Sequence, residues 1–279
     1  MSKVLITGAN GYLGQHVVKS ALDLGYDVVA SDLFYDGIDD RVEKSDVELF
    51  SGHENIYEEF GSPDAVIHLA WRNGFVHNAD THIIDLPAHY TFIKNMVAGG
   101  LKNLTVMGTM HEVGYWEGAI DENTPTNPSS NYGIAKNTLR QLAHSITDNT
   151  DVVLKWLRGY YILGDDARGN SIFSKICKAA EEGKKTFPLN SGKNKYDFIT
   201  IQELAEMIAK AGVQTDTEGE INCCTGQPIS LGEKVEQFIA DHGFDMKPEY
   251  GAFPDRPYDS PAIWGDATKI NKILFNAIS

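Results

Sequence analysis

Cysteine is scarce in this sequence: Cys177, Cys223 and Cys224 are the only three in 279 residues. Three thiols cannot build a disulfide framework, and a bridge between the adjacent Cys223 and Cys224 would be strained. The cysteines therefore read as reduced, and the expected compartment is the cytosol. Basic residues are also in deficit, with 24 Lys and Arg against 39 Asp and Glu, for a net charge of −15 with histidines neutral. A nucleic-acid binder needs a basic face to displace counterions, and an anionic membrane surface attracts the same kind of face. The deficit argues against nucleic acid and membrane as partners. Long apolar runs are missing, so no segment has the roughly 18 apolar residues of a bilayer-spanning helix. Met1-Ser2-Lys3 leads only into Val4-Leu5-Ile6-Thr7 before Gly8, with no apolar h-region or cleavage site, and the expectation is a chain without a secretory leader. No repeat of fixed period and no low-complexity stretch occurs.

What is present is ordinary globular composition, 42% hydrophobic and 23% charged, in a chain long enough for one or two domains. Short apolar runs alternate with amphipathic segments. Lys3 to Thr7, Tyr26 to Ser31, Ala65 to Ala70, Leu104 to Gly108 and Val152 to Leu157 have the length and content of buried strands. Tyr12 to Leu24 has helical spacing. Strands separated by helices predict βαβ units and a doubly wound parallel α/β sheet. The rhythm changes near residue 160. Ser171 to Glu182 is helical in pattern, Phe198 to Ile201 and Glu220 to Cys224 are short strand candidates, and Gly251 to Ser260 has no periodicity. This predicts a dinucleotide-binding domain over 1–160 and, over 161–279, mainly a small C-terminal substrate-binding lobe with part of the chain returning to the core.

The domain assignment rests on Gly8-Ala9-Asn10-Gly11-Tyr12-Leu13-Gly14, which follows a strand and opens a helix. Gly8 permits the tight turn, Gly11 lets backbone approach a pyrophosphate, and Gly14 lets helix and strand pack closely. The helix N-terminus offers free N–H groups to the phosphates. This is the Rossmann-type phosphate loop, with Gly8, Asn10, Gly11, Tyr12, Leu13 and Gly14 as its cofactor-binding residues. Asp32 ends the second strand, where a carboxylate accepts from ribose hydroxyls and repels a 2′-phosphate. NAD is thus favoured, with the nearby Arg41 keeping NADP open.

Asn131-Tyr132-Gly133-Ile134-Ala135-Lys136 begins a predicted helix, so Tyr132 and Lys136, four apart, share a face. An ammonium beside a phenol favours the phenolate and is expected to lower its pKa from near 10 toward the range useful for proton transfer.

Together the glycine loop, Asp32, His68-Leu69-Ala70 and Tyr132-x-x-x-Lys136 resemble the extended short-chain dehydrogenase/reductases, specifically the NAD-dependent epimerase/dehydratase family of nucleotide-sugar enzymes. The likeness continues through Arg158-x5-Gly164, Asp197-Phe198-Ile199, Asn222-x3-Gly226 and Arg256-Pro257. It implies a catalytic set of Thr109, Tyr132 and Lys136, with Leu69, Ala70 and Trp71 joining the cofactor residues. It also implies a nucleotide-linked sugar as substrate, and a homodimer through sheet-flanking helices is usual in that family.

Departures from the family pattern narrow the activity. Dehydratases carry Asp-Glu after the threonine, whereas Met110 and His111 stand here, so elimination of water is disfavoured. His111 has the reference pKa of an acid/base, or serves as a substrate hydrogen-bond donor. Tyr161 replaces an Asn usual in the epimerases. The stretch from Arg158 through Gly169-Asn170, and the Arg256-Pro257 tail, resemble the dTDP-4-dehydrorhamnose reductases. Reduction of a 4-keto sugar is therefore preferred to 4-epimerisation, the alternative; a non-catalytic dinucleotide sensor, the third reading, would not need both Tyr132 and Lys136. His89 stands where the family often has Asn, and Gly52 and His53 stand near the place of an adenine-contacting aspartate, which this reading finds absent. Phe75 and His77, in the loop after the strand ending at Ala70, join Met110, His111, Tyr161, Arg168, Asn170 and Arg256 as expected substrate-binding residues. His77 and His82 are five apart, off the helical spacing of a zinc pair, and no metal is expected.

Overall fold

The computed structural model describes residues 2–164, 171–255 and 259–276. Its main sheet has seven strands: β1 (Lys3–Thr7), β2 (Asp27–Ser31), β3 (Glu43–Lys44), β4 (Ala65–His68), β5 (Asn103–Thr109), β6 (Val153–Gly159) and β7 (Gly219–Cys223). All pair in parallel, in the order β7-β6-β5-β4-β1-β2-β3. Parallel neighbours need crossovers, and crossovers bury both faces. The longer helices supply that cover: α1 (Gly14–Asp23), α2 (Leu86–Ala98), α3 (Asn131–Thr147), α4 (Ile172–Glu181), α5 (Ile201–Val213), α6 (Leu231–Asp241) and α7 (Thr268–Asn276).

Strand alternation sorts the core into two layers. Val4, Ile6, Val28 and Ala30 pack against α1, α5 and α7. Leu5, Val29, Val66, Leu104 and Val106 point the other way, against α2 and α3. The result is a Rossmann-type, doubly wound α/β/α sandwich. Its strand order reverses between β1 and β4, the point where open α/β sheets bind ligands at the carboxyl ends of their strands.

A smaller lobe has its own apolar centre, with Phe173, Ile176, Val235 and Phe238 from α4 and α6 closing on Leu189 and Phe198. Its four-stranded sheet runs Ile229–Ser230, Lys195–Tyr196, Ala262–Gly265, Gly118–Ile120. The last of these comes from the first half of the chain, while α5, β7 and α7 return to the main sheet. Met110, Val113, Ile120, Tyr160, Cys224 and Ile263 fill the junction. Among the described residues no helix is long and apolar enough to cross a membrane.

Candidate active site

The glycine loop is shaped by close approach of backbone. Gly8 has φ +68°, and a Cβ there would sit 2.7 Å from the Ala70 backbone; at Gly14 it would sit 2.0 Å from the Gly8 carbonyl oxygen. Gly8 N–H donates to Ser31 O (2.9 Å) and Gly11 N–H to Gly8 O (3.1 Å). Leu13 is the N-cap of α1 and makes no side-chain cap, while Gln15 N–H donates back to Gly11 O (3.1 Å); the positive end of the helix faces the loop. Asp32 follows β2 directly and accepts from Asn10 N–H (2.8 Å) and Leu33 N–H (2.7 Å), which fixes the carboxylate beside the loop. Leu69 N–H donates to Thr7 O (3.1 Å) and Ala70 N–H to Thr7 Oγ1 (3.3 Å), closing the crevice wall. Tyr12 meets Phe75 edge to face at 6.4 Å. These residues fit a dinucleotide. Arg41 does not offer a free fork: it is held by Asp39 (2.7 Å) and Asp23 (3.4 Å).

The place assigned from sequence to the adenine-side aspartate needs correction. Strand β3 ends at Lys44, so the acid that follows it is Asp46. Gly52 and His53 instead give their carbonyls to Asn95 Nδ2, at 3.1 and 2.9 Å.

Thr109 ends β5, opposite Gly159 of β6. Its hydroxyl accepts from His111 N–H (3.3 Å), and its own N–H donates to Glu112 Oε1 (2.8 Å), a reciprocal cap on the Met110–Glu112 turn. Helix α3 begins on Ser130, whose hydroxyl accepts from Gly133 N–H (3.2 Å). A Cβ at Gly133 would lie 2.4 Å from His111 O, so this glycine lets α3 press against the turn that carries Thr109. That approach brings Tyr132 beside Thr109, near enough for the threonine hydroxyl to favour the ionised phenol. One turn on, Lys136 is buried, donates from Nζ to Met107 O (2.6 Å) and lies 3.8 Å from the centre of the Trp71 ring.

The electrostatics differ from the sequence expectation. Burial pushes the Tyr132 phenol up to about 12; the neighbouring Thr109 hydroxyl pulls it down and the Glu112 charge adds to the rise. Lys136 does not acidify it, because the lysine head is turned to the Met107 carbonyl and is itself brought down to about 7 by burial, against the pull of Glu112.

The segment after β4 folds over Tyr132. The His77 ring stacks on the phenol ring (5.5 Å between centres, 15° between planes), His77 O accepts from Tyr132 N–H (2.8 Å), and His111 lies 4.4 Å from His77. Burial, with His77 beside it, lowers His111 to about 4, and burial lowers His77 too. Both rings are neutral at neutral pH. Phe75 is exposed and Met110 is buried in the junction between sheet and lobe. Tyr161 is half-buried, 4.4 Å from Tyr196. Arg168, Asn170 and Arg256 lie outside the described residues. Sequence reasoning missed Glu112, whose signal was its spacing of three from Thr109.

The chain matches the model of the NAD dependent epimerase/dehydratase family over residues 4–224. It is 45% identical over 269 residues to the dTDP-6-deoxy-L-talose 4-dehydrogenase (NAD(+)) of Aggregatibacter actinomycetemcomitans, covering 94% of this chain and 98% of that one. A putative UDP-arabinose 4-epimerase of Arabidopsis thaliana is 27% identical, over 98% of this chain and 72% of its own. Two solved structures share the fold. The UDP-glucose 4-epimerase of Thermotoga maritima, with UDP-glucose, has a TM-score of 0.80 at 20% identity, covering 97% and 91% of the two chains. That of Stenotrophomonas maltophila, with bound NAD and a formylated UDP-arabinopyranose, has 0.83 at 18%, covering 99% and 93%.

Proposed function

The chain belongs to the NAD-dependent epimerase/dehydratase family, and from that premise we propose that it interconverts the 4-hydroxyl and 4-keto forms of a deoxythymidine-diphosphate-linked deoxyhexose, with Tyr132 moving the proton. The coarser assignment is plain: this is an NAD-dependent enzyme of nucleotide-linked sugars, an oxidoreductase or epimerase. The observation that carries the finer one is the Thr109–Tyr132–Lys136 set at the carboxyl end of β5, beside the glycine loop, in a chain alike from end to end to a nucleotide-sugar 4-dehydrogenase.

NAD, when bound, supplies the hydride chemistry at its nicotinamide. The chain's own residues do the rest. The glycine loop and the uncapped start of α1 hold the pyrophosphate, and Asp32 accepts from the ribose hydroxyls. Thr109 orients the sugar oxygen O4. The Tyr132 phenol, kept protonated by burial, is set to donate to O4 as alkoxide charge develops there, which is the 4-keto reduction; the 4-dehydrogenase reaction is its reverse. Lys136 places a donor one turn below the phenol. The engaged Arg41 and the carboxylate of Asp32 support NAD over NADP. All three cysteines are buried and none is in a disulfide, which supports a reducing compartment such as the cytosol.

The second reading is 4-epimerisation, supported by the resemblance to the arabinose epimerase. Net redox change separates the two. A panel of 4-keto and 4-hydroxy nucleotide sugars, each with NADH or NAD+ and with NADPH or NADP+, is followed by the absorbance of reduced nicotinamide. Stoichiometric oxidation of NADH with a 4-keto deoxythymidine-diphosphate sugar is expected. A 4-epimer formed with no change in reduced nicotinamide overturns the proposal.

A further inference from the structure

We propose that Trp71 is a positioning residue for Lys136: its indole, locked from two sides by histidines, seats the lysine head against the Met107 carbonyl, one helical turn from Tyr132. The inference rests on the catalytic pair assigned above. Trp71 touches both members of that pair, with Lys136 Nζ 3.8 Å from its ring centre and the Tyr132 ring edge-on at 6.3 Å.

The indole cannot turn freely. Its Nε1–H donates to His82 Nδ1 (2.9 Å). An indole N–H only donates, so His82 Nδ1 is the acceptor and its proton sits on Nε2, which donates to Val76 O (3.0 Å). His82 thus extends the indole plane, with 18° between the rings. His89 lies against the indole face, 4.5 Å away at 22°. It is anchored in turn: His89 Nδ1 bonds His68 Nε2 (2.9 Å), and His68 Nδ1 bonds Thr7 Oγ1 (2.7 Å). The three histidines are almost wholly buried. One end of this chain is fixed at the last residue of β1 and the other in the segment over Tyr132.

The groups that face Lys136 leave the indole a specific job. Glu112, from the turn after β5, attracts its charge; His68 and His89, from β4 and α2, are held neutral by burial; Tyr132 lies one turn away on α3, and Met107 O accepts one ammonium hydrogen. The electron-rich indole face stabilises a buried cation that has lost its water. It also fixes where the lysine head sits.

The test titrates the full-length protein, without added ligand, by NMR of 13C-labelled lysine, Lys136 being assigned from the signal missing in K136M. Trp71→Leu is expected to lower the Lys136 midpoint by about one unit, and Trp71→Phe by less. His82→Phe, which keeps an apolar ring but removes the acceptor, shifts it part of the way with the circular-dichroism spectrum unchanged. In turnover, W71L lowers kcat and displaces its pH profile, with the sugar KM little changed. A Lys136 midpoint that stays in place in W71L and W71F overturns the role of Trp71, even with redox activity intact. A midpoint that moves in a protein turning over no nucleotide sugar upholds the positioning and overturns the assigned reaction instead.

Discussion

Glu112 accepts the backbone amide of Thr109 at 2.8 Å while its other oxygen lies 3.3 Å from Arg158 Nε, and both charged side chains are buried. The same carboxylate accepts from Trp156 Nε1 (2.8 Å). Thr109 is therefore fastened to a buried ion pair in the core. Removing one partner leaves the other charge buried and alone. Glu112→Ala is expected to cost about 3–5 kcal/mol, measured as a lower urea midpoint, and to loosen Thr109 so that kcat falls. A variant within about 1 kcal/mol of the parent would mean that water reaches Arg158 and that the pair is not a support.

Tyr132→Phe removes one hydroxyl and leaves the ring packed between His77 and Trp71. General acid–base groups contribute roughly 10²–10⁴-fold, and kcat is expected to fall by that much. NAD affinity by calorimetry stays near the parent value. Turnover retained in Y132F would assign the proton to another group, with His111 the next to test.

The sheet and the tight glycine turn were legible because both are local patterns. Five of the seven main strands are short apolar runs, and the glycines follow one another at intervals of three residues. Helices α5 and α6 were not assigned, although Thr200 with Glu203 and Ser230 with Glu233 form reciprocal caps at their starts. That signal was present in the spacing. Lys155 is a different case. A lysine inside Val-Val-Leu-Lys-Trp-Leu looks out of place, yet it is wholly buried because its Nζ serves Gly212 O (3.2 Å) and Gln214 O (2.7 Å) at the end of α5. No local pattern marks a partner nearly sixty residues away. The Tyr132–Lys136 pair was visible as spacing, but the direction of the phenol's shift was not, since burial and the Met107 carbonyl come from elements that only the fold brings together.

The buried histidines predict acid sensitivity. His68 and His89 are 2% exposed and are held below the ordinary imidazole range by burial, His89 at about 3. The folded protein keeps them neutral, while the unfolded chain takes up protons below about 6.5. The unfolded state therefore binds more protons in that window, and stability falls as pH drops from about 6.5 toward 3, by up to about 1.4 kcal/mol per pH unit for each ring. Between roughly pH 6.5 and 5, unfolded carboxylates are still ionised, so urea unfolding across that interval reports mainly the histidines. His89→Asn should flatten the slope. A parent protein with equal stability at both ends of the interval would show that these rings gain protons in place.

Cofactor choice is the most direct check on the crevice. Asp32 presents a carboxylate at the end of β2, and Arg41, the cation closest in sequence, is committed to Asp39 and Asp23. A 2′-phosphate brought to Asp32 meets a like charge with no free counter-charge. Relieving one such repulsion near the surface is worth about 1–2 kcal/mol, or roughly five- to thirtyfold. Asp32→Ala is expected to move the ratio of kcat/KM for NADH to that for NADPH by at least that factor toward NADPH, the relieved repulsion raising the NADPH value while NADH loses the acceptor for its ribose hydroxyls. Adding Asp39→Asn releases one side of the Arg41 fork and should raise the NADPH value itself. If the double variant gains nothing over D32A, Arg41 lies beyond reach of the ribose, and the preference for NAD rests on Asp32 alone.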